Sequence, residues 1–261
     1  MSEYFETSDQ CRIAYRWDGP EGAPVLVLSN SLGTSKELWD AQLDAFTERY
    51  RLLRYDQRGH GQSDAPSGPY SIERLGLDVV EMLEANEIAT AHFCGLSLGG
   101  MTGQWLGTNA GDRIGRLILA NTSAYMGPPS AWQERIELVL TDGMATMAEL
   151  ACERWFTAGF RASSPDEVAA IKALLHATPP EGYAGCCAAI RDMDQRASVA
   201  GISVPTLVIG GSLDPATPPP HSEQLSSAIE GAELVFLEAA HLSNVEQPDA
   251  FNAAVLNFLA G

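Results

Sequence analysis

The pentapeptide Gly95-Leu96-Ser97-Leu98-Gly99, followed by Gly100, is the strongest chemical signal in the sequence. A serine at a sharp turn needs small neighbours, because the backbone must fold back close to itself. The segment before it, Ala91-His92-Phe93-Cys94-Gly95-Leu96, reads as a buried strand. The segment after it, through Met101, Gln104, Trp105 and Leu106, reads as a helix. A serine at such a strand–turn–helix junction presents its hydroxyl above the sheet. The helix that begins there aims free N–H groups and a positive dipole end at an incoming oxyanion. Those are the properties of a serine nucleophile.

A serine hydroxyl attacks only when a base takes its proton. The sequence has five histidines: His60, His92, His176, His221 and His241. His241 follows the apolar run Leu234-Val235-Phe236-Leu237, in the loop Glu238-Ala239-Ala240-His241-Leu242-Ser243, and is the expected base. His60 lies in the glycine turn Arg58-Gly59-His60-Gly61 and reads as a turn or surface histidine. His92 reads as the far end of the strand before Ser97, and His176 and His221 have no supporting context. The acid that orients the base is expected between nucleophile and base in chain order. Asp214, in Gly210-Gly211-Ser212-Leu213-Asp214-Pro215 directly after an apolar run, fits. It would accept from the imidazole and stabilise its cationic form. Asp56 is its rival, but Arg54 and Arg58 nearby point to a structural ion pair, and Asp192 and Asp194 read as exposed. The loop Ser29-Asn30-Ser31-Leu32-Gly33-Thr34 completes the set. The backbone N–H groups of Leu32 and Leu98 are the expected oxyanion donors.

Elements that could hold these loops are visible as alternation. Short apolar runs occur at Val25–Leu28, Tyr50–Tyr55, Ala91–Leu96, Leu117–Ala120, Thr206–Ile209 and Leu234–Leu237. Runs without polar alternation mark strands buried on both faces. Between them lie helix-like stretches. In Ser71–Ala85, for example, Ile72, Leu75, Val79, Met82 and Leu83 recur at helical spacing, and Phe251–Leu259 forms another. Such alternation predicts an α/β fold: a mostly parallel central sheet flanked by helices. The alternation fails between about Ser123 and Val199, a stretch punctuated by Gly127-Pro128-Pro129 and Thr178-Pro179-Pro180. This predicts a helical cap, residues 123–199, inserted after the sixth strand of a core formed by residues 1–122 and 200–261.

Composition narrows the function. The 261 residues carry a net charge of −18, which opposes binding to nucleic acid or to an anionic membrane surface. The five cysteines have no metal-ligand spacing, and adjacent Cys186 and Cys187 are poorly placed to bridge each other. They are expected to be reduced, buried thiols. The N-terminal residues lack a secretory pattern and no apolar run is long enough to span a bilayer. A cytoplasmic protein without metal or cofactor is expected.

Ser97, Asp214 and His241, together with Tyr55-Asp56-Gln57-Arg58-Gly59-His60-Gly61-Gln62-Ser63, resemble the pattern of α/β-hydrolases along the whole chain. A closer resemblance is to β-ketoadipate (3-oxoadipate) enol-lactone hydrolases. It is carried by Asn30-Ser31-Leu32-Gly33-Thr34, His92-Phe93-Cys94-Gly95-Leu96-Ser97, Glu153-Arg154-Trp155-Phe156-Thr157, Cys186-Cys187-Ala188-Ala189-Ile190-Arg191-Asp192, Asp214-Pro215-Ala216-Thr217-Pro218-Pro219 and Ala240 to Pro248. The resemblance implies an α/β-hydrolase fold and opening of a small anionic lactone through an acyl-enzyme. A substrate carboxylate on so acidic a protein calls for a local cation, for which Arg135, Arg154 and Arg191 are the candidates. Trp132 and Trp155 are candidates for the pocket wall. Two other readings remain. One is a different carboxylic ester, lactone or carbon–carbon bond hydrolase with the same triad; the other is a hydrolase-like ligand-binding module. Relatives of this fold that use an aspartate nucleophile are disfavoured by Ser97.

Overall fold

Residues 2–261 are described by a computed structural model. Among them, eight strands form one sheet: β1 (Glu3–Glu6), β2 (Arg12–Asp18), β3 (Val25–Ser29), β4 (Arg51–Tyr55), β5 (Ala91–Leu96), β6 (Ile114–Ala120), β7 (Thr206–Gly211) and β8 (Glu233–Leu237). Their spatial order is β1-β2-β4-β3-β5-β6-β7-β8. β2 pairs antiparallel with β1 and β4, and every other pairing is parallel. The helices are α1 (Leu43–Thr47), α2 (Ile72–Ala85), α3 (Leu98–Asn109), α4 (Pro129–Asp142), α5 (Met144–Trp155), α6 (Ala158–Ser163), α7 (Pro165–Ala177), α8 (Pro180–Asp192), α9 (Pro219–Ala228), α10 (Ser243–Glu246) and α11 (Pro248–Ala260).

The central strands lack polar alternation because helices cover both faces of the sheet. Successive residues still point to opposite sides. Leu26, Leu28, Leu52, Cys94, Ile118 and Ile209 join one core with Phe46 of α1 and Phe251 of α11. Val27, Leu53, Phe93, Leu117, Leu119 and Val208 join a second core with Val79 of α2, Leu106 of α3 and Leu225 of α9. In α2 the spaced residues Ile72, Leu75, Val79, Met82 and Leu83 are all buried. The Ser71 hydroxyl caps that helix by accepting the Arg74 N–H at 3.1 Å.

Two differences from the sequence reading are found at the sheet edges. β1 and β2 carry no continuous apolar run: β1 is the edge strand, and β2, paired between β1 and β4, is only partly buried, so neither needs to be apolar throughout. β8 is less buried than its apolar run suggests, with Phe236 exposed, because it too is an edge strand. Between β6 and β7 the described residues contain α4 to α8 and no strand. This helical segment pairs α4 with α8 and α5 with α7. It meets the loops at the C-terminal ends of the strands: Tyr70 N–H donates to Gly185 carbonyl at 3.1 Å, and Leu242 N–H to Trp155 carbonyl at 3.2 Å.

Buried ion pairs fasten the loop after β4. Asp56 does not pair with Arg54 or Arg58; its partner is Lys36 at 2.8 Å, contributed by the turn after β3. Arg54 reaches instead to Asp18 and Asp40, and Arg58 to Asp78 and Asp9. The arginines adjacent in sequence diverge because Arg54 lies within β4 while Arg58 lies in the turn beyond it. The Arg58–Asp78 pair is bidentate, at 2.6 and 2.7 Å, and both side chains are almost fully buried. Removing Asp78 leaves the buried Arg58 guanidinium with the more exposed Asp9 as its one remaining carboxylate. Asp78→Ala is therefore expected to lower stability by about 3–5 kcal/mol, read from urea unfolding curves against the parent protein.

Candidate active site

The nucleophile candidate sits where β5 turns into α3. Ser97 has φ 58° and ψ −112°, a strained conformation for a residue with a side chain. The flanking glycines make it attainable. A Cβ on Gly95 would lie 2.1 Å from the Gly99 carbonyl oxygen, and one on Gly99 would lie 2.2 Å from that of Ser29. The turn thus presents the Ser97 hydroxyl to the cavity and starts α3 immediately behind it.

Two strand ends supply its partners. His241, after β8, places Nε2 3.0 Å from Ser97 Oγ. Its Nδ1 lies 2.8 Å from Asp214 Oδ2, after β7. All three side chains are buried. Asp214 also accepts from the N–H groups of Ala216 (2.7 Å) and Thr217 (3.0 Å), the Thr217 hydroxyl (2.7 Å) and the Asn121 amide (3.1 Å). Burial alone would raise its pKa, but the attraction of His241 and these hydrogen bonds prevail and hold it down to about 2. Asp214 is an anion at neutral pH, able to fix the imidazole with Nε2 free to accept a proton.

The oxyanion candidates adjoin this array. The loop after β3 is bonded to the start of α3, with Gly99 N–H donating to Asn30 carbonyl at 3.0 Å. That contact brings the loop bearing Leu32 against the helix end bearing Leu98. No thiol competes with Ser97. All five cysteines are free and buried, and burial raises the Cys11 and Cys187 thiols to about 12 and Cys152 to about 11. Among the described residues no cluster of three or more His, Cys, Asp or Glu side chains could hold a metal ion. No helix among them is long and apolar enough to cross a membrane.

A cavity of about 490 Å³ opens above Ser97 and His241, between the strand ends and the helical segment. Leu32, Trp132, Arg135, Arg154 and Trp155 line it. The Trp155 ring packs 5.9 Å from the His241 ring. Arg135 lies over the Trp132 ring at 4.7 Å, beside the Tyr183 hydroxyl. Arg154 stands exposed and donates to the Pro215 carbonyl at 3.2 Å. Among the described residues neither arginine forms an ion pair with a carboxylate. Arg191 does not line the cavity: Asp192 and Gln133 hold its guanidinium at 2.6–2.8 Å, because the end of α8 turns it outward.

Several residues depart from the sequence reading. His60 is not at the surface; it is fully buried. His221 lines the cavity. Asn121, in the left-handed region at φ 43° directly after β6, was not anticipated. Its amide donates to Asp214 and to the Ala240 carbonyl, both at 3.1 Å, while its oxygen accepts from Ser243 at 2.5 Å. A polar residue at the end of a buried strand was its one signal. Glu246, at the end of α10, ties two further segments together. It accepts the Ala240 N–H at 3.0 Å and the Thr157 hydroxyl of the helical segment.

Sheet order, strained serine and the three-residue array define a hydrolase of the alpha/beta type, and the chain belongs to the alpha/beta hydrolase family, whose model matches residues 25–254. It is 43% identical over 249 residues to 3-oxoadipate enol-lactonase 2 of Acinetobacter baylyi, covering 95% of this chain and 93% of that one. Among solved structures it is similar to a hydrolase from Pseudomonas aeruginosa PA01 (50% identity, 100% and 98% coverage, TM-score 0.97). It is similar also to the enol-lactonase from Burkholderia xenovorans LB400 (44% identity, 99% and 100% coverage, TM-score 0.97).

The depressed pKa of Asp214 has a sign. A carboxyl lowered from 3.8 to about 2 contributes stability that is fully present above 3.8 and is lost as pH falls through about 2. Unfolding curves taken down that range should show the parent losing about 2 kcal/mol that Asp214→Asn does not lose.

Proposed function

We propose that this chain opens 3-oxoadipate enol-lactone to 3-oxoadipate, in the β-ketoadipate route of aromatic degradation, by a Ser-His-Asp acyl-enzyme mechanism. The observation that carries the reading is the similarity to two enol-lactonases over nearly the full length, helical segment included. In this reading residues 123–199 act as a cap over a core of residues 1–122 and 200–261. The enzyme is cytoplasmic and works without metal or cofactor.

Ser97 Oγ attacks the lactone carbonyl carbon as its proton passes to His241 Nε2, 3.0 Å away. Asp214 stabilises the imidazolium without taking a proton. The carbonyl oxygen becomes an oxyanion held by the N–H groups of Leu32 and Leu98, each contributing about 3 kcal/mol. The tetrahedral centre collapses and breaks the ring C–O bond. The departing enolate takes a proton from His241 and tautomerises to the ketone. His241 then removes a proton from water, which attacks the acyl carbon; Ser97 leaves and recovers its proton. The new carboxylate, the ketone and the carboxylate the substrate already carried together make up 3-oxoadipate.

The substrate's own carboxylate needs a cation in a protein of net charge −18. Arg135 and Arg154 line the cavity without carboxylate partners among the described residues and take that role; Arg191, held by Asp192, does not. Trp132 and Trp155 form the walls. The cavity volume of about 490 Å³ favours a second reading, hydrolysis of bulkier carboxylic esters, since it lies within the range of drug-sized ligand sites.

The test is loss of ultraviolet absorbance from freshly generated enol-lactone. Rapid loss with the parent and none with Ser97→Ala is expected. Arg135→Leu should raise KM for the lactone about tenfold or more while leaving a neutral aryl ester unaffected, and Arg191→Leu should change neither. Aryl ester turnover through Ser97 without lactone turnover would overturn the lactone reading and keep the triad.

A further inference from the structure

We propose that His60 and Thr178 are positioning residues that set the oxyanion donor at Leu32, gripping the adjoining Gly33 from opposite sides. The proposal rests on the reading of Leu32 N–H as an oxyanion donor.

His60 is fully buried in the turn after β4, and both ring nitrogens are engaged. Nδ1 lies 3.1 Å from the Arg58 carbonyl, which can only accept, so Nδ1 carries the hydrogen. Nε2 therefore offers a lone pair, and the Gly33 N–H donates to it at 2.8 Å. Burial pulls the His60 pKa down to about 4, which keeps that lone pair available at neutral pH. A protonated ring would turn a second N–H against Gly33.

Thr178 approaches from the helical segment, at the junction of α7 and α8. Its hydroxyl donates to the Gly33 carbonyl at 2.9 Å, sharing its hydrogen with the Leu174 carbonyl at 3.0 Å. Gly33 itself admits no side chain. Its φ is +79°, and a Cβ there would lie 2.6 Å from a Leu175 methyl. The N–H and the carbonyl of one glycine are thus held by residues far apart in sequence, one in the core and one in the helical segment.

The remaining bonds of this loop fall on the other neighbours of Leu32. The Asn30 side chain donates to the Tyr55 carbonyl at 2.8 Å and accepts from Trp39 at 2.9 Å. The Ser31 carbonyl accepts from the Thr34 N–H at 3.2 Å and the Thr34 hydroxyl at 2.8 Å. None of these bonds uses the Leu32 N–H. Asn30 and Ser31 are fixed within the core; Gly33 is where the helical segment takes hold. An oxyanion donor acts through exact placement, since a shift of about 1 Å can cost a hundredfold in rate.

The experiment compares Thr178→Val, Thr178→Ser and His60→Leu in hydrolysis of a neutral aryl ester and in inhibition by an arylboronic acid. The boronate's tetrahedral oxygen occupies the oxyanion hole. For Thr178→Val and His60→Leu we expect kcat about 10- to 100-fold lower, boronate affinity weakened by a matching factor, and KM within about twofold of the parent. Thr178→Ser, which keeps the hydroxyl, should be close to the parent. A folded Thr178→Val with parental kcat and boronate affinity would overturn the proposal, whether or not His60→Leu folds. So would a fall in kcat with unchanged boronate affinity. The aryl ester makes the result independent of the lactone: failure on lactone alone sinks the substrate reading and leaves these ratios to decide the positioning.

Discussion

The backbone of Ser97, held at φ 58° and ψ −112°, is the constraint on which the rest of the structure depends. Strain of that kind persists only where its surroundings leave no alternative. Here the surroundings are Gly95, Gly99 and the Ser29 carbonyl, packed so closely that no Cβ fits at either glycine. The same closeness welds the loop after β3 to the start of α3. The strained turn therefore does two things together: it exposes a hydroxyl, and it fixes the distance between that hydroxyl and the amides beside it.

Everything else converges on that point from the C-terminal ends of the parallel strands. Ser97 follows β5, Asn121 follows β6, Asp214 follows β7 and His241 follows β8. In sequence Ser97 and His241 are 144 residues apart, yet Ser97 Oγ and His241 Nε2 are 3.0 Å apart. Parallel pairing makes this possible, since every strand then ends on one edge and delivers its loop to a common crevice. Asn121 ties the assembly laterally, bonding at once to Asp214, to the Ala240 carbonyl before His241, and to Ser243.

What could be read from the sequence was what local chemistry dictates. Glycines around Ser97 report a turn, unalternated apolar runs report strands covered on both faces, and chain order points to Asp214 and His241. What escaped depended on partners distant in sequence. His60 looks like a turn histidine until Gly33 and the turn around Arg58 enclose it. Asp56 has arginines beside it in the chain, yet the fold hands it Lys36. Arg191 looks free until the end of α8 swings it to Asp192. The antiparallel strands β1 and β2 are illegible because a strand that is partly in water need not be apolar. Burial and pairing of single polar residues are tertiary facts, and residue type alone does not encode them.

The helical segment grips the loop bearing His241 as well as Gly33. Leu242 N–H is bonded to the Trp155 carbonyl, and Glu246 joins Thr157 to the Ala240 N–H, one residue from His241. The part of the chain that shapes the cavity is thereby stitched into the frame that performs the chemistry. In a lineage that changed its substrate by exchanging this segment, the stitches would be exchanged along with the walls. Specificity and turnover in such a scaffold are inherited together, and a graft that kept the new walls would also need the old hydroxyls at positions 157 and 178.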